Sequence, residues 1–294
     1  MSTVLRTEPG TPDPTAPVPA LPSPATAPAT GAHLSFTGVM RGEWIKLLSL
    51  RSTWWVLALA VALMTLFALG QSMSLDMLAD SPEAAALGMI HGAEIVSGGY
   101  PLGMVTIAVL GALLITGEYS TGMIRSSLTA VPTRWPVLAA KAIALVVLTV
   151  ITSVLSLVLS SLVTRSLLAG HDLVPALDDP QTWQIYGGVT YVLVVAALFA
   201  LGIGTLVRST AATVTIALTV LLLLPGFLGF ITLDWVEAIV AHLPMPAAAA
   251  FVTVSDSTLT DSSDLTAWTG VLVVAAYAVV PLLAGAVVLR RRDA

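Results

Sequence analysis

The sequence predicts an all-α integral membrane protein of six transmembrane helices, with the N and C termini on the cytoplasmic side. Three observations lead there. The 294 residues are 56% hydrophobic and 10% charged, with a mean hydropathy of +0.93, whereas a soluble domain averages about 25% charged. Six apolar runs each approach the roughly 20 residues that cross a hydrocarbon core of about 30 Å. Eleven of the twelve Lys and Arg residues fall on one side of those runs. A soluble chain of this length would need far more charge to cover its surface, so lipid supplies most of the solvent.

The first element is a tail, residues 1–35. From Pro9 to Thr30 it holds eight of the eighteen prolines, mixed with Ala and Thr. So little apolar material cannot offset the entropy of ordering, and the tail is expected to be disordered and cytoplasmic. No apolar core follows Arg6, which excludes a secretory signal. Residues 36–294 form the predicted transmembrane domain. It begins with FTGVMRGEWIKLLSLR, Phe36 to Arg51, whose Met40, Trp44, Leu47 and Leu48 share one helical sector while Arg41, Glu43 and Lys46 fall mostly on other faces. This is the pattern of an interfacial helix lying along the membrane, the alternative being a stub that extends the first span.

The spans are read as Trp54 to Met73, Gly99 to Thr116, Val137 to Val163, Ile185 to Val207, Ala211 to Ile231 and Trp268 to Leu289. The second has an apolar approach from Ile90, and the third is long enough to tilt or to project into the cytoplasm. Uninterrupted apolar runs lack the alternation of barrel strands. Arg6, Arg41, Lys46 and Arg51 precede the first span, Arg125, Arg134 and Lys141 separate the second and third, Arg208 follows the fourth, and Arg290 to Arg292 follow the sixth. Only Arg165 lies opposite, among loops rich in Asp and Glu. The positive-inside rule therefore makes the basic side cytoplasmic.

The residue types exclude several chemistries. Without cysteine there is no disulfide framework, thiolate nucleophile or Cys-based metal site. A nucleotide-binding loop needs glycines followed by Lys and then Ser or Thr, yet Lys46 sits in WIKLL and Lys141 in AAKAI. His33, His91, His171 and His242 are scattered, and the closest pairing, His91 with Glu94, offers too few ligands for a metal. Nucleic-acid binding has no basic patch beyond Arg290 to Arg292, which also reads as a topology anchor. Ion-coupled carriers place ionisable groups within the bilayer; here Glu94, Glu118, Lys141 and Arg165 fall at predicted span ends.

Within the spans, Thr149, Ser153, Ser156 and Ser160 recur on one helical face, and Ala196, Ala200 and Gly204 form a small-xxx-small series. The hydroxyl stripe suits either close packing, with bonds to the preceding turn, or a substrate path. Pro225 with Gly226, and Pro281 with Gly285, are expected to bend the last two spans for gating or for packing. The connection TGEYSTGMIRSSLTAVPTRWPVLAAK, Thr116 to Lys141, is patterned rather than a spacer. Ser120 or Thr121 can cap a short helix through Leu128, Val131 and Pro132 break it, and Thr133 with Pro136 start the third span. Such a helix suits force transmission from a soluble partner, and the alternative is a structured turn.

Three stretches carry a resemblance. RGEWIKLLSLRSTWW, the connection just quoted and HLPMPAAAAF are similar to the lead-in helix, the loop between spans 2 and 3, and the stretch before the last span in the type-2 permeases of ATP-binding-cassette transporters, notably actinobacterial ones. The resemblance covers Phe36 to Arg292. It implies a plasma-membrane permease subunit that pairs with a second permease copy, binds separate ATPase subunits from the cytoplasm and usually exports its cargo. It further implies a coupling helix at Glu118, Tyr119, Ser120, Thr121, Gly122, Met123, Ile124 and Arg125, and re-entrant helices near Trp235 to Val240 and Ala247 to Val254. No cofactor is expected in this chain, because the partner hydrolyses the ATP. Besides lipid and these subunits no partner is implied. The alternatives are a membrane scaffold or sensor that docks a regulatory protein, and an ion-coupled carrier.

Overall fold

Apolar chain in hydrocarbon must satisfy its backbone amides internally. In the computed structural model the described residues, 35–79, 90–122, 135–254 and 265–291, accordingly contain helices and no strand. The predicted tail lies outside them except for Ser35. Helix α1 spans Phe36–Ser49, α2 Arg51–Ala79, α3 Gly92–Ser97, α4 Tyr100–Thr121, α5 Trp135–Ala169 and α6 Pro180–Val207. Helix α7, Thr210–Leu218, passes through a π-helical turn, Thr219–Leu223, into α8, Leu224–Leu228. Then follow α9 Asp234–Ala241, α10 Pro244–Val252 and α11 Ala267–Arg291.

Among the described residues, six segments are long and apolar enough to cross a membrane: Arg51–Leu75, Gly92–Ser120, Trp135–Ala169, Pro180–Val207, Thr210–Leu228 and Ala267–Leu289. Each overlaps a run expected from sequence. Most are longer than expected, because helix geometry continues where hydropathy falls. Helix α5 has 35 residues, about 50 Å at the usual rise. The pair α9 and α10 is bent by 67°, with Pro244 at the start of the second piece.

The core centres on α6, which packs most heavily on α4 and α11 and also on α5. In its most apolar window 67% of residues are buried, against 17% for the fifth span and 22% for the sixth, so the last two spans turn most of their surface outward. Small residues allow the close approach. A Cβ added at Gly111 would stand 2.3 Å from the Ala197 carbonyl oxygen, so only glycine lets α4 lie this close to α6. Ala196, Ala200 and Gly204 are all buried, and Gly204 faces Ile115 of α4, as the small-residue series requires.

The hydroxyl stripe of α5 is buried as well: Thr149, Ser153 and Ser156 are 0% exposed and Ser160 is 1% exposed. Ser156 donates to the Thr152 carbonyl at 2.8 Å, Ser160 to Thr65 of α2 at 3.4 Å, and Ser153 meets Thr190 of α6 at 2.8 Å. Among the described residues the stripe therefore packs helices together. Pro281 lies inside the unbroken α11 against Gly202, while Gly285 meets Thr205; both serve the crossing with α6. Pro225 follows the π-helical turn, which makes room for the ring and its missing N–H.

Leu47, Leu57, Leu114, Leu138, Leu145 and Leu289 share one cluster of buried side chains, which gathers α1, the starts of α2 and α5, and the ends of α4 and α11. Lys46, Arg51, Lys141 and Arg208 lie here, so we term it the basic end. Leu75, Ile95, Val96 and Leu168 form a smaller cluster at the opposite, acidic end.

Candidate functional site

Of the residues singled out by sequence, Glu118 to Gly122 lie at the basic end where α4 stops. Helix α4 continues through Thr121 and ends on Gly122, whose left-handed φ of 70° serves as the C-cap. Ser120 and Thr121 thus lie in the last turn of a spanning helix, and the short helix expected to follow them falls outside the described residues. Ser120 is exposed and donates to the Gly117 carbonyl at 2.9 Å. Met123, Ile124 and Arg125, with the remainder of the connection to Arg134, lie outside the described residues. Tyr119 packs against the basic-end cluster, and the Arg208 guanidinium stands 5.1 Å from its ring centroid. Arg208 itself adopts φ 59° and caps α6, its N–H bonding the Gly204 carbonyl.

Glu118 departs most from expectation. It is 7% exposed, and beside it Lys141 is 1% and Glu43 3% exposed. The Lys141 ammonium donates to Glu118 Oε1 at 2.6 Å and to Glu43 Oε2 at 2.5 Å. Lys46 donates to Glu43 Oε1 at 2.9 Å and to Glu118 Oε1 at 3.1 Å. Two ammonium and two carboxylate groups thus close a neutral network joining α1, α4 and α5. Burial alone would make such charges costly; their mutual pairing offsets part of that penalty.

One expectation is corrected here. Glu43 does not lie away from the packed face of α1. It points inward with Leu47, because positions 40, 43, 44 and 47 share one helical face. Glu118 and Lys141 lie near span ends, as expected, and the structure adds that both are buried there. Sequence reasoning missed Glu43, Lys46 and Lys141 as a group. A signal existed, since the chain has two lysines and both enter this network. Burial opposes the charge on Lys46, but the hydrogen bond to Glu43 and the charges of Glu118 and Glu43 outweigh it and raise its pKa above 10.5. Among the described residues, buried Glu118 Oε2 has no hydrogen-bond partner.

The acidic end is built from different contacts. His91 caps α3, its Nδ1 accepting from the Ala93 N–H at 3.2 Å, so its Nε2–H points at Asp179 Oδ2, 2.8 Å away. Asp179 in turn caps α6, accepting from the Gln181 N–H at 3.0 Å. That backbone bond, followed by the bond from His91, holds its pKa below 3.8. Glu94 Oε1 accepts from the Val254 N–H at 2.6 Å, fastening α3 to the chain leaving α10. No three His, Asp or Glu side chains converge as a metal site among the described residues.

Compared with known protein families, residues 38–294 match the family described as ABC-2 family transporter protein. The comparison with curated proteins gives no match.

Proposed function

The chain belongs to the ABC-2 transporter family, and on that premise we propose that it is the permease subunit of an ATP-driven exporter whose ATPase is a separate chain. The observation that carries this reading is the family match across the whole six-span domain, in a chain that lacks a phosphate-binding loop. Both lysines, one of which such a loop would need, are engaged with Glu43 and Glu118.

In this reading the chain sits in the plasma membrane with both termini cytoplasmic, which puts the basic end inside. The bent pair α9 and α10 dips into the outer leaflet and returns, keeping the number of crossings even. Two permease copies assemble with two ATPase subunits. Nucleotide binding there displaces the connection from Glu118 to Arg125, with Met123 and Ile124 as apolar contacts and Arg125 as a charged one. The displacement switches the dimer between inward- and outward-facing states. An ion-coupled carrier is less well supported, because it needs a carboxylate free to exchange its charge, and Glu43 and Glu118 are each held by both lysines.

The test is to purify the chain with its ATPase in lipid vesicles. Stoichiometric association is expected, and Arg125→Glu should leave membrane insertion intact while abolishing the permease's effect on ATP hydrolysis. Unaltered coupling in Arg125→Glu would remove this connection from the mechanism. A chain that associates with no nucleotide-binding subunit would instead be a scaffold.

A further inference from the structure

The charge network lies at the neck of the connection between α4 and α5. Glu118 is one helical turn before Gly122, and Lys141 is in the second turn of α5. Although consecutive, α4 and α5 scarcely pack on each other: α4 lies mainly on α6, and α5 mainly on α2. The Lys141–Glu118 bond at 2.6 Å is thus a principal direct tie between the two ends of the connection. Glu43 and Lys46 brace the same tie from α1.

We propose that Glu118 and Lys141, braced by Glu43 and Lys46, are positioning residues that clasp the neck of the 123–134 connection, so that its displacement moves α1, α4 and α5 as one body. The proposal rests on the coupling role assigned above to that connection. Without the clasp, a push on the connection would be absorbed by the two helix ends moving apart, since little packing opposes their separation. Stability alone is a poor reason for the network, because well-packed apolar residues commonly replace a buried ion pair without loss. The arrangement also has travel. Glu118 Oε1 receives both ammonium groups while Oε2 receives none, so a lysine can slide from one oxygen to the other and stay paired throughout.

The chain has no cysteine, which makes the clasp replaceable. Glu118→Cys with Lys141→Cys removes one charge of each sign and leaves the Glu43–Lys46 pair, 2.9 Å apart, to neutralise itself. The complex with ATPase is reconstituted in lipid nanodiscs, and hydrogen exchange at the acidic end, residues 179–188 and 244–254, is compared without nucleotide and with ATP plus vanadate. Wild type should show a nucleotide-dependent difference. In the reduced double variant that difference should fall about tenfold, within the range seen for residues that carry coupling, while ATPase association persists. Joining the two thiols with a short bifunctional reagent should restore it in the same protein.

A purely architectural role would shift the thermal midpoint without changing the nucleotide-dependent difference. Should the double variant not fold, Glu118→Gln with Lys141→Met, which preserves side-chain shape, replaces it in the same comparison. A wild-type difference in either reduced or uncrosslinked variant overturns the clasp. If Arg125→Glu abolishes the difference and the clasp variants do not, the clasp alone is wrong. If wild type shows no difference, the coupling reading and the clasp fall together.

Discussion

The two ends of the molecule fasten their loops with carboxylates in opposite ways. At the basic end Glu43 and Glu118 meet two ammonium groups, and four charges depend on one another. At the acidic end Glu94 and Asp179 each accept from a backbone N–H, so most of each contact stands by itself. On the proposed clasp, the first arrangement fails as a unit and transmits displacement, whereas the second fails piece by piece and fixes where a helix begins or ends.

The strongest way to break this contrast is to leave a charge uncovered at the basic end. Lys141→Met exposes Glu43 and Glu118 to each other in a buried site and should cost about 3 kcal/mol, read as a lower midpoint in detergent thermal unfolding. Adding Glu118→Gln should recover most of that loss, because one charge of each sign then remains. Additive losses would mean that the four groups do not act together.

Glu94→Ala is the acidic-end counterpart. It removes the acceptor for Val254 N–H and should cost about 1.5 kcal/mol, with faster hydrogen exchange confined to the Val254 amide and its neighbours. Faster exchange extending to the basic end would show that this contact is not local.

A smaller effect separates side chain from backbone at Arg208. Arg208→Ala loses the contact with the Tyr119 ring, worth about 0.5–1 kcal/mol, and keeps a side chain at φ 59°. Arg208→Gly loses the same contact but relieves a left-handed conformation that costs about 1 kcal/mol. Glycine should therefore come out nearer wild type than alanine in the unfolding midpoint.

The smallest effect is set by pH at the half-buried Asp179. Its folded pKa lies below the unfolded 3.8, so its contribution is present above that value and is lost as pH falls through the lower folded pKa. Between about pH 5 and about pH 2, wild type should lose more of its unfolding midpoint than Asp179→Asn, whose side chain does not titrate.

The spans were legible because lipid imposes a length and an apolar composition that any sequence must display. Their limits shifted at the ends, where α4 runs on through Glu118 and α5 runs on to Ala169; helix continues there on backbone bonding, which hydropathy does not record. The bent pair at Asp234–Ala241 and Pro244–Val252 came from resemblance to a family, since each piece is too short to stand out by period. Burial of the hydroxyl stripe decided between two readings that composition left open, because the packing partners Thr65 and Thr190 belong to other helices.

The charge network was illegible for a related reason. Glu43 counts as polar in any local pattern, and its burial depends on Lys141, 98 residues away. Nothing local announces such a pairing. The scarcity of lysine hinted that the two present were placed with purpose, but it could not say that they meet.

The heavily buried α6 has a consequence for biogenesis. Ribosomal synthesis delivers this helix after α2, α4 and α5, so its contacts with α4 and α5 can form as soon as it leaves the translocon. Those with α10 and α11 must wait for the rest of the chain. The nascent protein can therefore settle its first four spans while the last two are still being made, and the outward-facing fifth and sixth spans join a platform already in place.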